Sequence, residues 1–281
     1  MSSLRSLLAR SSLACLLALW GVAGHPGLQA SEAKAAEAEA AEGVAAEGEA
    51  ACAAQISRDV LVAGGEHGEL HLASGRTITL NDVRPAAAQD GTAETARAFL
   101  ESQIGEQVEL RLGSDETDRW GRMRAAVVLS PDTSRLDLAH ALVARGLAIV
   151  DTGAERLCDE SLLLREEQAR RSRRGLWSEA GMQPLEAEDS AGLLARIGSF
   201  TIVEGVVRNV GERERRTYLD FGRSWDDAFT VIVPSRLWAK VRDTGLDAAT
   251  LKGRRIRIRG IMQNWRGPAI ELTTVEFIEK L

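Results

Sequence analysis

The sequence has few aromatic, cysteine and histidine residues. Aromatic side chains make up 4% of its 281 residues, although six of them are tryptophan, and there are three cysteines. The four histidines are His25, His67, His71 and His140. They show none of the short spacings of zinc ligands, so the sequence predicts no metal site built on histidine.

An excess of positive charge, which would favour a polyanionic ligand, is also missing. The formal net charge is −6, but residues 31–50 alone hold six glutamates against one lysine. Nearly all of the negative excess therefore lies in that run, and the rest of the chain is close to neutral. Net charge neither favours nor excludes a nucleic-acid ligand.

The N-terminal residues contain no apolar run of the about 20 residues that a membrane-spanning helix needs. Arg5 and Arg10 precede an apolar core at 13–24, and small residues follow at 28–30. This layout predicts a secretory signal peptide over residues 1–30, and hence a periplasmic or secreted protein of the cell envelope. A retained membrane anchor, or a lipoprotein signal around Cys15, is the alternative.

Residues 31–54 alternate alanine with glutamate and have no apolar helix face. Such a segment has nothing to bury, so we predict a disordered tether. An acidic interaction tail is the alternative.

The residues that follow predict a small α+β, mainly β domain. Short β-branched or alternating runs occur at 60–62, 69–72, 77–80 and 108–112, separated by glycine-containing turns. Helical spacing of apolar residues occurs at 93–100, 135–145 and 159–174. Ser134 and Asp137 are suitable N-caps for the second helix, and Gly146 is a suitable stop. Strands wrapped around the first helix, with two further helices, predict a Greek-key barrel of the oligonucleotide/oligosaccharide-binding (OB) type.

Four motifs carry a family resemblance. They are Asp118-Arg119-Trp120-Gly121-Arg122 before an apolar strand, Leu142–Ala148, Glu166–Arg171 and Arg174-Gly175-Leu176-Trp177. In this order they resemble the thermonuclease (staphylococcal nuclease-like) family. The resemblance implies that residues 55–178 form an OB-like barrel with three helices.

A second domain is predicted at 197–281, after a linker at 179–196. Five strand-like runs at 200–207, 217–222, 229–233, 255–260 and 269–272, with a helix at 235–242 after the third, have the order of a second OB-like barrel. The segments 218–222 and 267–271 look like those in the C-terminal extension of some exported bacterial members of the family.

The catalytic groups that the family supplies are largely replaced. The family uses carboxylate ligands for calcium, two arginines and a glutamate general base. The first carboxylate position is Gly68 here. Alignment of the next block on its strand puts Thr79 in place of an arginine, Arg84 in place of the second aspartate and Ala87 in place of the glutamate. Alignment on Pro85 gives Ile78, Val83 and Ala86 instead, and loses the same groups.

Arg122 is the one family catalytic position that remains. It is suited to binding a phosphate, or to pairing with a nearby carboxylate and holding its turn. Glu69 and Asp82 lie near the vacated positions, but two isolated carboxylates make a poor calcium site. We therefore predict no metal ligands and no cofactor, with calcium expected only if the protein is a nuclease.

The second domain offers a candidate ligand face. Arg255, Arg257 and Arg259 alternate with isoleucines, so they share one face of a strand. We expect neighbouring loops to contribute further cationic and aromatic side chains, namely Arg223, Trp225, Trp238, Trp265 and Arg266. Together they predict a surface that binds a single strand or a sugar chain, or else a solvated face paired with Asp220, Asp226 or Glu271.

The sequence thus predicts an exported thermonuclease-like protein with a degenerate site. It would be a non-catalytic binding or scaffolding module for nucleic acid, glycan or an envelope protein. The alternative is a phosphodiesterase with residual or altered nuclease activity. Loss of Cys15 with the signal would leave Cys52 and Cys158, which we expect to form a disulfide in an oxidising compartment; two unpaired thiols are the alternative.

Overall fold

The computed structural model describes Cys52 and residues 55–86, 91–130, 132–133, 135–153, 156–178, 182–222 and 229–281, without the side chains of 114–116. Residues from Glu47 to Leu281 form one compact unit. The predicted signal peptide and most of the predicted tether lie outside the described residues, as do Ser134 and Ala87. No helix in the described part of the chain is long and apolar enough to cross a membrane.

The first domain is built on one six-stranded sheet and a separate two-stranded one. Its strands are β1 (Gln55–Gly64), β2 (Leu70–Leu72), β3 (Thr77–Leu80), β4 (Val83–Pro85), β5 (Gln107–Thr117), β6 (Arg122–Leu129), β7 (Leu136–Asp137) and β8 (Ala148–Val150). The sheet order is β3-β2-β1-β5-β6-β7, and β3 also pairs with β6 in parallel. That extra pairing closes five strands into a barrel and confirms the predicted fold.

Three helices surround the barrel, as predicted. They are α1 (Gly91–Glu101), α2 (Leu138–Ala144) and α3 (Ser161–Arg171). Asp137 caps α2, since its carboxylate accepts a hydrogen bond from the backbone N–H of His140. Gly146 follows that helix with φ +68°, and a side chain there would collide with the carbonyl of Arg174. Glycine is therefore required at this crossing of the chain.

A disulfide joins Cys52 to Cys158, 106 residues apart. This confirms the predicted bridge. Because Cys52 precedes β1 and Cys158 precedes α3, the bond links the start of the first domain to its last helix.

The second domain has its own sheet. Its elements are β9 (Leu185–Glu186), α4 (Ser190–Leu194), β10 (Phe200–Val206), β11 (Asn209–Glu212), β12 (Arg216–Asp220), β13 (Thr230–Pro234), α5 (Ser235–Asp243), α6 (Ala248–Leu251), β14 (Arg255–Asn264), β15 (Pro268–Glu271) and β16 (Ile278–Lys280). The order is β11-β12-β13-β15-β14-β10-β9, and β16 pairs with β14. Because only two residues separate β10 from β11, they act as successive parts of one bent strand, and the pairing order then repeats that of the first barrel.

The sequence predicted five strands in this domain, and the structure adds β9, β11 and β16. Part of the predicted linker belongs to the sheet, because β9 pairs in parallel with β10. Two-residue strands such as β9 carry no periodic signal, which is why the sequence did not indicate this pairing.

The two barrels pack against each other through a small apolar cluster. Trp177 is completely buried there with Ile149, Ala169 and Leu176, and Ile202 of β10 joins them from the second domain. The Gly-Leu-Trp motif at the end of the first domain therefore lies at the junction between the barrels.

Candidate functional site

A cleft of about 790 Å³ opens on the first barrel beside the junction of β3 and β6. Its walls come from the loop before β2, the β3–β4 segment, the start of β6 and the chain after β8. The cationic side chains that line it are Arg84, Arg122 and Arg124, and its carboxylates are Asp118 and Asp151. Both cysteines of the disulfide also lie in the wall.

Arg122 is held by the turn in front of its own strand. Its Nη2 lies 2.7 Å from Oδ2 of Asp118, and the other oxygen of Asp118 accepts the backbone N–H groups of Trp120 and Arg122. Burial opposes ionisation of Asp118, but the bonds from Arg122 outweigh it and lower the pKa of that carboxyl. Arg122 therefore holds its turn and lines the cleft at once.

Trp120 stands at the rim of this turn. Its side chain is 64% exposed, although it is a large hydrophobic group. The guanidinium carbons of Arg119 and Arg122 lie 4.2 and 4.7 Å from its ring centroid. These cation–π contacts hold the ring beside Arg122 while leaving it accessible.

Arg84 is held from two sides. Its Nε donates to Oδ2 of Asp151 at 2.7 Å, and Asp151 also accepts the backbone N–H of Gly153. Its guanidinium lies 5.4 Å from the ring centroid of Phe200, a residue of the second barrel. The second barrel thus contributes to the positioning of a cleft residue.

Arg124 differs from its two neighbours. Its Nε is buried and has no hydrogen-bond partner, and no ion pair to it is formed within the described residues. It lies beside Thr79 in the parallel β3–β6 pairing, and both residues line the cleft. Sequence reasoning missed it, although residues 122 and 124 are two apart on a strand and so face the same side.

The side chain of Asp82 is engaged within the protein. Its side chain is buried and accepts the backbone N–H groups of Cys158 and Asp159 at 3.0 and 3.1 Å. Burial dominates its ionisation and raises its pKa, even though Arg124 favours the charged form. Its φ of +61° is the left-handed conformation that aspartate tolerates better than most residues.

The first domain was compared with models of known protein families. Residues 79–179 match the family model described as Staphylococcal nuclease homologue. The first domain is a staphylococcal nuclease-like domain. Strands β1 and β2 precede the matched residues, and the second barrel lies beyond them. No curated protein matches the chain significantly.

The carboxylates of this nuclease-like domain do not fit calcium, which prefers six to eight oxygen ligands. Asp118 is bound to Arg122 and Asp151 to Arg84, while Asp82 is occupied by backbone amides. Glu69 accepts the backbone N–H of His67. Within the described residues no group of three or more His, Cys, Asp or Glu side chains is placed to hold a metal.

Of the positions identified as catalytic replacements, Gly68, Thr79 and Arg84 line the cleft. Thr79 donates a hydrogen bond to the carbonyl of Met123 at 3.3 Å. Ile78 is in the barrel core. Val83, a position of the alignment on Pro85, also lines the cleft, so both alignments place replaced positions in its wall.

The arginine face predicted on β14 is covered. Arg257 bonds to Glu167, Glu204 and Glu279, and Arg259 bonds to Glu166 and Glu279. The side chains of Arg257 and Arg259 are 8% and 0% exposed, and Arg255 is 41% exposed and pairs with Glu186 and Glu204. The expectation of an open face is wrong for Arg257 and Arg259, because α3 and β16 place carboxylates over them.

The predicted aromatic partners are dispersed. Trp238 lies in α5 and is buried, with its Nε1 donating to Glu212, so its assignment to a loop was wrong. Trp265 stacks on Tyr218 with ring centroids 5.3 Å apart, and the guanidinium carbon of Arg266 lies 5.6 Å from the Trp265 ring centroid. Arg223 and Trp225 lie outside the described residues.

Proposed function

We propose that the nuclease-like domain is a non-catalytic module that binds the phosphates of single-stranded nucleic acid in the cleft of Arg84, Arg122 and Arg124. The observation that carries this proposal is Arg124, a guanidinium whose Nε is buried without a partner in the wall of a cleft. The Arg124 side chain as a whole is only half-buried, and it forms no ion pair within the described residues, so its guanidinium charge is available to a phosphate oxyanion.

Trp120 favours nucleic acid over other anions. Bases stack on exposed aromatic rings without regard to sequence, and an aromatic ring beside a cationic groove is typical of proteins that bind single strands. Trp120 offers such a ring next to Arg122. A neutral glycan would use the ring but would offer the arginines no anionic group.

The arrangement of the carboxylates supports the proposal that the module does not hydrolyse its ligand. Phosphodiester cleavage needs a base near the attacking water and a metal or several cations on the phosphate. In the described cleft, Asp118 and Asp151 each bind an arginine and Asp82 binds backbone amides. Residual phosphodiesterase activity is the second candidate, since Arg122 keeps its place on the cleft wall.

We also propose that the protein is exported and acts in the cell envelope. The charged, apolar and small-residue segments of residues 1–30 support this proposal. A disulfide between Cys52 and Cys158 is compatible with an oxidising compartment.

The test is binding of a fluorescein-labelled single-stranded deoxyoligonucleotide, followed by fluorescence anisotropy at low salt. Arg124→Ser should weaken binding several-fold, while Arg165→Ser, the same charge change at an exposed position of α3, should not. Unlabelled RNA and a neutral cell-wall glycan serve as competitors. Equal affinities of the two variants, or competition by the glycan alone, would refute the proposal.

A further inference from the structure

A second cleft, of about 840 Å³, lies on the other side of Arg84. Arg84, Asp151 and Gly153 line both clefts, so the two spaces meet at these residues. The remaining wall of the second cleft comes from the second barrel, including Phe200, the start of α5 and the ends of β14 and β15. The two clefts therefore adjoin at these residues, and we refer to them together as the groove.

The far end of this groove is cationic. Arg236 and Lys240 line it, and they are one helical turn apart on the exposed side of α5. Neither forms an ion pair or a hydrogen bond within the described part of the chain, in contrast to the arginines of β14. Both side chains are exposed and so are available to a ligand.

Charge along the whole groove favours an anion. Its described lining contains five lysine or arginine side chains and three carboxylates. Asp118 and Asp151 are each bound to an arginine, and Glu271 is the third carboxylate. The described lining therefore has a surplus of two positive charges, although the chain as a whole has a formal charge of −6.

Phe200 connects the two ends. It contacts Arg84 from the second barrel and lines the second cleft. Arg84 therefore lies at the centre of the groove, with Arg122 and Arg124 on one side and Arg236 and Lys240 on the other.

We propose that Arg236 and Lys240 form a second phosphate subsite, through which the second barrel extends the binding site along a single nucleic-acid strand. This inference rests on the proposed function of the first cleft. A ligand with one or two phosphates fills the first cleft only. A longer strand crosses Arg84 and Phe200 and reaches α5, so affinity rises with strand length.

The experiment compares a dinucleotide with a labelled strand of about 12 nucleotides, a length within the site sizes of OB-type barrels. The double variant Arg236→Ser/Lys240→Ser is measured beside the matched control Arg213→Ser/Arg242→Ser. All four positions are exposed on the second barrel, and the control pair lies outside the described lining of both clefts. Both variants lose two positive charges, so a general electrostatic effect is common to them.

We expect the double variant to bind the long strand about tenfold more weakly at low salt than the control does. The slope of log K for strand binding against the log of the salt concentration should be shallower for the double variant than for the control by about 1.4. Each phosphate contact to a single strand contributes about 0.7 to this slope. Dinucleotide binding should be the same in both variants, which also shows that the first cleft remains folded.

Three results would overturn the inference. Equal binding of the long strand by the two variants, with the unmodified protein binding well, would refute the second subsite and leave the proposed function standing. If the double variant lost the same affinity for the dinucleotide as for the long strand, α5 would not act as a separate subsite. Absence of binding at either length in the unmodified protein would refute the proposed function together with the inference.

Discussion

Glu166 and Arg259 form an ion pair in which both side chains are fully buried, with 2.9 Å between Oε1 and Nη2. The glutamate belongs to α3 of the first barrel and the arginine to β14 of the second. Burial alone would lower the pKa of Arg259, but Glu166 and Glu279 outweigh it and raise that pKa. Glu166 also accepts the backbone N–H of Val150, so the pair is tied to the strand that leads into the cleft.

Replacement of Arg259 by methionine should destabilise the protein strongly. It leaves the carboxylates of Glu166 and Glu279 buried without their cation, and such a loss costs about 3–5 kcal/mol. Urea unfolding at neutral pH measures the change.

Arg255→Met is the matched control, on the same strand. Arg255 is 41% exposed and its partner Glu186 is 56% exposed. Exposed pairs contribute little, so the control should cost less than about 1 kcal/mol. If the two variants lost similar free energies of unfolding, burial of the ion pair at the junction would not explain the effect.

The disulfide determines how many reactive thiols each chain should show. Under denaturing, non-reducing conditions, a chain that begins at residue 31 should show no reactive thiol, and one that keeps Cys15 should show one. Reduction should lower the free energy of unfolding by about 2–4 kcal/mol, because the bond closes a long loop. Two further reactive thiols per chain would rule out the bridge.

We expect the protein to lose stability in acid because of Asp59. Burial opposes its ionisation, but hydrogen bonds from Ser74 and Arg76 outweigh that effect and lower its pKa from 3.8 to about 2. The unfolded chain therefore takes up this proton at higher pH than the folded one. The contribution of Asp59 is complete above about pH 4 and is lost as the pH falls through 2, amounting to about 2 kcal/mol by linkage.

The measurement is urea unfolding between pH 2 and 5, with Asp59→Asn beside Asp132→Asn. Asp132 pairs with Arg58, but both side chains are more than half exposed. Asp59→Asn should flatten the pH dependence, and Asp132→Asn should change it little. An unchanged pH profile in Asp59→Asn would be evidence against the Asp59 network.

Calcium-dependent nuclease activity should be absent. The motif alignment predicts that metal carboxylates, a phosphate-binding arginine and the general base are replaced, and each such group contributes powers of ten in rate. Because these groups act as a unit, their losses do not simply add, but the residual rate remains low. The assay uses denatured DNA and RNA with excess calcium.

Arg122→Ala controls for contamination in that assay. Cleavage that needs calcium and disappears in this variant would establish a nuclease. Cleavage that is equal in both proteins would come from a contaminant.

Export predicts that residues 1–30 are absent from the mature protein. Mass spectrometry of protein recovered from the envelope fraction should find a chain that begins near Ser31. Recovery of a chain with Met1 intact would contradict the proposed signal peptide.

Part of the cleft could be predicted from the sequence. Motif spacing predicts that positions 68, 79 and 84 replace catalytic groups, and the structure places all three in the cleft wall. Arg124 and the Arg84–Asp151 pair were not identified. The pair joins residues 67 apart in sequence, and no local spacing indicates such a contact.

Local patterns in the sequence determined the longer strands and helices of both barrels, because alternation with period two and helical spacing report which side of an element is buried. Only the tertiary structure decided what covers each polar face. The arginines of β14 alternate as a solvated or ligand-binding face would, yet α3 meets them from the other barrel. Arg259 and Glu166 are 93 residues apart, and their contact depends on how the two barrels pack.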